Sequence, residues 1–149
     1  MNLLSADLDP LERLISAYAK RRDRQKYAFL FAFDSRLADI LKGSSEILIA
    51  QIKLTWWRDI LTLKSEQRPT GEPLVAAMND LQLSDSEIEQ LVTIVDGWEC
   101  MLIDFPWDDR QFNNYAKGRG IGFYGFAFGA DRTLTDDQKL LAQSWAYWD

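Results

Sequence analysis

The chain has 149 residues, of which 47% are hydrophobic and 27% charged, and this composition excludes wholesale disorder and collagen-like structure. Its formal net charge of -6 argues against general electrostatic binding to nucleic acid or to anionic lipid, so any anion site must be local. Because histidine is absent and Cys100 is the single cysteine, a Ser-His-Asp triad, a histidine-containing zinc site and an internal disulfide are also excluded.

Apolar residues recur at helical spacing along almost the whole chain, and no segment shows the strict alternation of a half-buried strand. The sequence therefore predicts an all-α fold of about six to seven helices in one domain over residues 1–149. The first helix begins at Asp9, which can cap it, with Pro10 in its first turn. One face of this helix carries the apolar residues Leu11, Leu14, Ile15 and Tyr18.

The second helix, over residues 25–42, is apolar on most faces and is predicted to be central and buried. A third helix begins after Ser44 or Ser45 and runs to about residue 64. Its apolar stripe consists of Ile49, Ile52, Trp56, Ile60 and Leu63. The basic run at residues 20–26 has two interpretations, an attraction site for a phosphate-bearing ligand or a solvated loop.

After a break at residues 69–73, a short helix is predicted over residues 74–81. A capping box at residues 84–87 then opens a long helix that ends before Pro106. Another helix begins near Asp108 or Asp109 and passes into the glycine-rich run at residues 118–129. A last helix, capped by residues 135–138, is still apolar where the chain ends.

Four charged residues interrupt these apolar stripes, and an unpaired charge facing a core is costly. They are Asp34, Lys53, Asp96 and Glu99. Each of these residues has more than one explanation: it belongs to a functional site, it forms a buried ion pair, or it lies at the edge of the core. The run at residues 120–125 matches the dinucleotide pattern GxGxxG, but no strand precedes it, so we reject a Rossmann site. Its glycines are expected to let the helix bend or approach a neighbour or ligand closely.

Five segments together resemble the squalene/phytoene synthase family, whose helical enzymes join two isoprenyl diphosphates. In chain order they are FAFDSRLAD (31–39), KLTWWRD (53–59), GEPLVAA (71–77), IVDGWE (94–99) and YAKGRGIG (115–122). The tryptophan-containing segment is the most specific, and its form looks most like the shorter bacterial members and the related mitochondrial complex I assembly factors. The resemblance implies a truncated isoprenoid synthase fold that lacks the C-terminal helices of the family.

In catalytic members of that family, two Asp-rich motifs hold Mg²⁺ ions that grip the substrate diphosphates across a helical cavity. By this resemblance Asp39 is the catalytic residue and a Mg²⁺ ligand, with Asp96 and Glu99 as replacement metal ligands. The substrate-binding residues would be Arg36, Lys53, Arg58, Tyr115 and Arg119. The chain departs from the family pattern at Gly43 and Met101, where acids are expected, and the second Asp-rich motif would lie beyond Asp149.

The resemblance implies isoprenoid biosynthesis as the function, with isoprenyl diphosphate or an isoprenoid lipid bound or condensed in a helical cavity. The alternative is a non-catalytic member that binds isoprenoids or assists assembly of a respiratory complex. The expected partners include no nucleic acid. A cytoplasmic location is expected, with peripheral contact to the inner membrane and a homo-oligomeric or protein partner on the C-terminal aromatic helix as further expectations.

Overall fold

The computed structural model describes residues 8–103, 106–129 and 131–149. Within these ranges it contains seven α-helices and no strand, which confirms the all-α prediction. In chain order the helices are α1 (Pro10–Tyr18), α2 (Arg24–Gly43), α3 (Ile47–Thr62), α4 (Pro73–Leu81), α5 (Asp85–Glu99), α6 (Asp109–Phe128) and α7 (Asp136–Trp148). A short 3₁₀ turn (Ser65–Gln67) follows α3.

Capping boxes set the first residue of four helices. In α1 the Asp9 carboxylate accepts hydrogen bonds from the backbone of the first turn, and the Glu12 carboxylate accepts one from the Asp9 N–H. The same reciprocal pattern opens α5, α6 and α7. Because each cap satisfies backbone N–H groups that have no partner within the helix, it stabilises that end by about 1 kcal/mol. The predicted starts of α1, α5 and α7 are thereby confirmed.

The core is filled by side chains from α2 to α6 that water does not reach. The largest side chains with almost no exposed surface include Phe29, Leu30, Phe33, Leu37, Leu54, Leu61, Met78, Leu91 and Ile94. Helix α2 supplies four of these, so the prediction that it is central and buried is confirmed. Helix α6 packs most extensively against α5 and α7.

Glycines allow this close packing of α5, α6 and α7. A Cβ atom added to Gly97 of α5 would lie 2.2 Å from the backbone nitrogen of Arg119 in α6. One added to Gly118 would lie 2.6 Å from the Cα of Gly97, and one added to Gly120 would lie 2.3 Å from the carbonyl oxygen of Ala142 in α7. The glycine run thus brings α6 against its neighbours, as one of the two sequence interpretations predicted.

Two apolar faces lie differently from the sequence expectation. In α3, Ile49, Ile52 and Trp56 are exposed, and the buried face is formed by Ala50, Leu54, Trp57, Ile60 and Leu61. In α1 the apolar residues Leu11, Leu14, Ile15 and Tyr18 are 45–85% exposed. The buried residue of α1 is instead Ser16. Helical spacing identifies an apolar face, but it does not determine which way the helix turns that face.

Candidate functional site

Three residues predicted from two separate motifs meet between α3 and α5. The Nη2 atom of Arg58 donates to Oδ1 of Asp96 over 2.6 Å, and its Nε donates to the same oxygen over 3.0 Å. Arg58 also donates to the carboxylate of Glu99, one turn further along α5. The i, i+3 spacing of Asp96 and Glu99 places both carboxylates on the same side of α5, where one guanidinium engages them. We call these three residues the Arg58 cluster.

The Arg58 cluster is partly open to solvent and carries strong local charge. Partial burial alone would lower the pKa of Arg58, but the hydrogen bonds from its guanidinium to Glu99 and Asp96 raise that pKa above its ordinary value. Arg58 therefore remains a cation at every physiological pH. An incoming phosphate group would meet this cation only by displacing at least one carboxylate, because both carboxylates already accept its N–H groups.

These carboxylates do not fit Mg²⁺ as they stand. Asp96 and Glu99 are both bonded to Arg58. Asp39 is exposed and forms no ion pair with the described part of the chain. Among the described residues, no group of three or more acidic, cysteine or histidine side chains is placed to hold a metal ion. The assignment of Asp39, Asp96 and Glu99 as Mg²⁺ ligands stays a prediction.

The other predicted binding residues are distributed over three places. Arg36 of α2 donates from Nη1 to both oxygens of Glu72, each over 3.0 Å. Glu72 also caps α4, so this ion pair joins the two helices. Lys53 is exposed on α3 and makes no ion pair within the residues that the structure describes. Its interruption of the apolar spacing therefore reflects an outward position and not a buried ion pair.

Tyr115 and Arg119 belong to a buried network that also contains Asp34. The Nη2 atom of Arg119 lies 2.6 Å from Oδ2 of Asp34, and its Nη1 donates to the Tyr115 hydroxyl over 2.8 Å. Trp98 donates its Nε1–H to Oδ1 of Asp34 over 2.8 Å. Asp34 and Arg119 are only 6% and 3% exposed. The charge on Asp34, which interrupts an apolar stripe in the sequence, is therefore paired within the core.

Aromatic rings close this network on both sides. The Arg119 guanidinium lies 4.7 Å from the ring centre of Trp98 and 4.5 Å from that of Trp145. Burial alone would lower the pKa of Arg119, but the hydrogen bond to Asp34 raises it above the ordinary value. Burial raises the pKa of Tyr115, which the nearby Arg119 cation only partly opposes. Arg119 and Asp34 are bonded to each other and to their protein neighbours in this arrangement. The assignment of Tyr115 and Arg119 as substrate-binding residues stays a prediction.

A large groove lies away from the Arg58 cluster, where α1, the start of α2 and the end of α6 meet. Its volume is about 870 Å³. Apolar lining comes from Leu14, Ile15, Tyr18, Phe126 and Phe128, and cationic lining from Lys20, Arg22, Lys26 and Arg132. Lys26 is paired with Glu87, and this ion pair joins α2 to α5. The rim of the groove holds these four cations together with the carboxylates of Asp23 and Glu87, which pair with Arg22 and Lys26, so Lys20 and Arg132 leave it with a positive balance. No sequence motif pointed to it as a cavity.

The predicted cavity lined by motif residues is not reproduced at any of four surface cavities of the described chain. None of the four includes Asp39, Asp96, Glu99, Arg36, Lys53 or Arg58. Between the helices, core side chains and the glycine contacts of α6 pack closely.

In the described ranges, every helix is too short or too polar to cross a lipid bilayer. No family model, curated protein or solved structure matches this chain.

Proposed function

We propose that this chain is a squalene/phytoene synthase-like protein that binds an isoprenyl diphosphate at the Arg58 cluster without condensing it. One observation carries the proposal. Arg58 lies in the most specific of the resembling segments, and it meets Asp96 and Glu99 from a second segment about 40 residues later. Residues selected by the resemblance thus share one partly open site, with a guanidinium that suits bidentate phosphate recognition.

Binding is favoured over condensation because the carboxylates at this site neutralise Arg58 and are not grouped for a metal ion. These residues can exchange one anionic partner of the Arg58 guanidinium for another. A diphosphate takes the place of a carboxylate on Arg58, while exposed apolar residues of α3, such as Ile52 and Trp56, offer a surface for the hydrocarbon chain.

Titration calorimetry with farnesyl diphosphate, inorganic pyrophosphate and farnesol tests this proposal. We expect farnesyl diphosphate to bind most tightly and Arg58→Gln to weaken it at least tenfold, since a charge-assisted hydrogen bond contributes about 1.5–3 kcal/mol. Arg110→Gln, which removes an exposed cation from α6, is the matched control. Equal binding by both variants would refute the site, and pyrophosphate release with Mg²⁺ would refute the non-catalytic part.

A second candidate function, assembly of a protein complex, is favoured by the outer face of α7. Its exposed apolar residues are Leu140, Leu141, Tyr147 and Trp148, and Trp148 is 91% exposed. Exposed apolar patches of this kind tend to mark partner surfaces. Affinity purification from native lysate should recover a stoichiometric partner that Leu141→Ser with Trp148→Ser releases. Recovery of the wild-type protein and of the double variant alike as free monomers would count against this function.

A further inference from the structure

Helix α1 presents its apolar side to solvent. Tyr18 is 85% exposed and Leu11 is 64% exposed, while Ser16 is the residue that α1 buries. Helix α1 thus buries a serine while four large apolar side chains face outward. Exposed apolar area is costly, and packing within residues 8–103, 106–129 and 131–149 does not explain this arrangement.

A concentrated positive charge follows α1 directly. Residues 20–26 carry five of the 17 basic residues of the chain and a single acid, Asp23. Arg21, Arg22 and Arg24 are exposed, and the Arg24 side chain donates to the last turn of α1 at the carbonyl of Ala19. In a chain of net charge -6, this run is a local positive surface beside an apolar one.

The other exposed apolar faces have no basic run of this density beside them. Helix α7 carries Asp136 and Asp137 in its first turn and one lysine, Lys139, while α3 carries one exposed cation, Lys53. The combination of an apolar face and a dense basic run therefore distinguishes α1 from α3 and α7. A binding partner that complements both features is apolar and anionic.

We propose that α1, the basic run at residues 20–26 and the groove behind them form a docking site for an anionic lipid bilayer. The apolar side of α1 enters the interface between headgroups and acyl chains, and Lys20, Arg22 and Arg132 face lipid phosphates. The apolar part of the groove accepts part of one acyl chain. This proposal is independent of the Arg58 cluster.

Vesicle flotation with the full chain tests the site. The protein should float with vesicles of phosphatidylcholine containing about one third phosphatidylglycerol and stay unbound with phosphatidylcholine alone. Leu14→Ser with Tyr18→Ser, and separately Lys20→Ser with Arg22→Ser, should each weaken binding about tenfold. The matched controls are Leu140→Ser with Leu141→Ser and Arg110→Ser with Lys117→Ser, which remove equally exposed residues elsewhere and should retain binding.

Equal binding to both vesicles, binding to neither, or equal losses in the control variants would each overturn the proposal. Release from vesicles by inorganic phosphate, but not by chloride of equal ionic strength, would assign the cations to free phosphate instead. A concentration-dependent dimer that the Leu14 and Tyr18 substitutions abolish would assign this face to a second copy of the chain. Circular dichroism of each variant confirms that the helices persist.

Discussion

The guanidinium of Arg119 and the carboxylate of Asp34 form an ion pair inside the core, although 85 positions separate them in the chain. The pair joins α6 to α2, and Trp98 of α5 donates to the same carboxylate. Asp149, which is exposed, gives Arg119 a second acidic partner at 2.6 Å. Three helices thus share one desolvated charge pair, whose members depend on each other.

Asp34→Asn is expected to destabilise the fold by about 3 kcal/mol, because it leaves the buried Arg119 cation without its main partner. An asparagine oxygen can still accept the hydrogen bond from Trp98, so the decrease in the free energy of unfolding measures the removal of the negative charge. Asp149→Asn, at the exposed end of the network, should cost less than about 1 kcal/mol. Urea unfolding measures both values, and equal losses would contradict the assignment of the buried pair as dominant.

The glycine contact between α5 and α6 predicts a sharp contrast between two alanine substitutions. Gly97→Ala should destabilise the protein by about 3 kcal/mol or more, because its Cβ would overlap the backbone of Arg119. Gly43→Ala, at the end of α2 with open space around it, should be neutral or stabilise by about 0.5 kcal/mol. Thermal unfolding of the two variants checks this, and a tolerated Gly97→Ala would show that the helices can separate.

Local signals in the sequence were sufficient to predict the helices. The capping residues Ser84 and Thr135 and the break near Pro73 marked helix ends correctly, because they act within one turn of chain. The outward turn of α1 and the one-residue rotation of the α3 face were not predictable in this way. They depend on which neighbours a helix meets, and periodicity contains no information about that.

The site was predictable only in part. Two interrupting charges, Asp96 and Glu99, shared a side of α5 as their spacing predicted, and Arg58 was known only through the resemblance. The partner of Asp34 could not be identified, since pairing across 85 positions leaves no local signal. The groove beside α1 was missed because residues from four helices form it, although the basic run had indicated a local anion site.

The Arg58 cluster predicts an unusual gain of function. Glu99→Gln should raise the affinity for inorganic pyrophosphate several-fold in the absence of Mg²⁺, because a competing carboxylate is removed from Arg58. Asp59→Asn changes the net charge equally at an exposed position next to Arg58 and is the control. Calorimetry distinguishes the two, and weaker binding by Glu99→Gln would indicate that Glu99 contributes to the ligand site in another way.

The ion pair between Lys26 and Glu87 predicts a pH-dependent stability. Burial alone would raise the pKa of Glu87, but the hydrogen bond from Lys26 lowers it below the ordinary value. The folded-state pKa therefore lies below the unfolded one. Its contribution is complete above the ordinary value of 4.5 and is lost as the pH falls through the folded value.

Glu87→Gln should accordingly cost about 1 kcal/mol at neutral pH and progressively less as the pH falls below 4.5 and through the lowered folded-state pKa of Glu87. The glutamine oxygen can still accept the capping hydrogen bond from the Ser84 N–H, so the lost ion pair dominates the difference. Glu89→Gln, which removes a carboxylate from the exposed side of the same helix, is the control. Urea unfolding at several pH values measures the free energy of unfolding of the wild-type protein and of Glu87→Gln. A difference between them that does not change with pH would contradict this prediction.

The seam of glycines that brings α6 against α5 and α7 also implies an order of local opening. Backbone amides near Gly97, Gly118 and Gly120 should exchange with deuterium only when the whole domain unfolds, because the backbones of neighbouring helices are in direct contact there. Helix α1, whose large apolar side chains face solvent, should detach first and exchange fastest. The domain thus combines a slowly exchanging half with a first helix that can lift away while the rest stays folded.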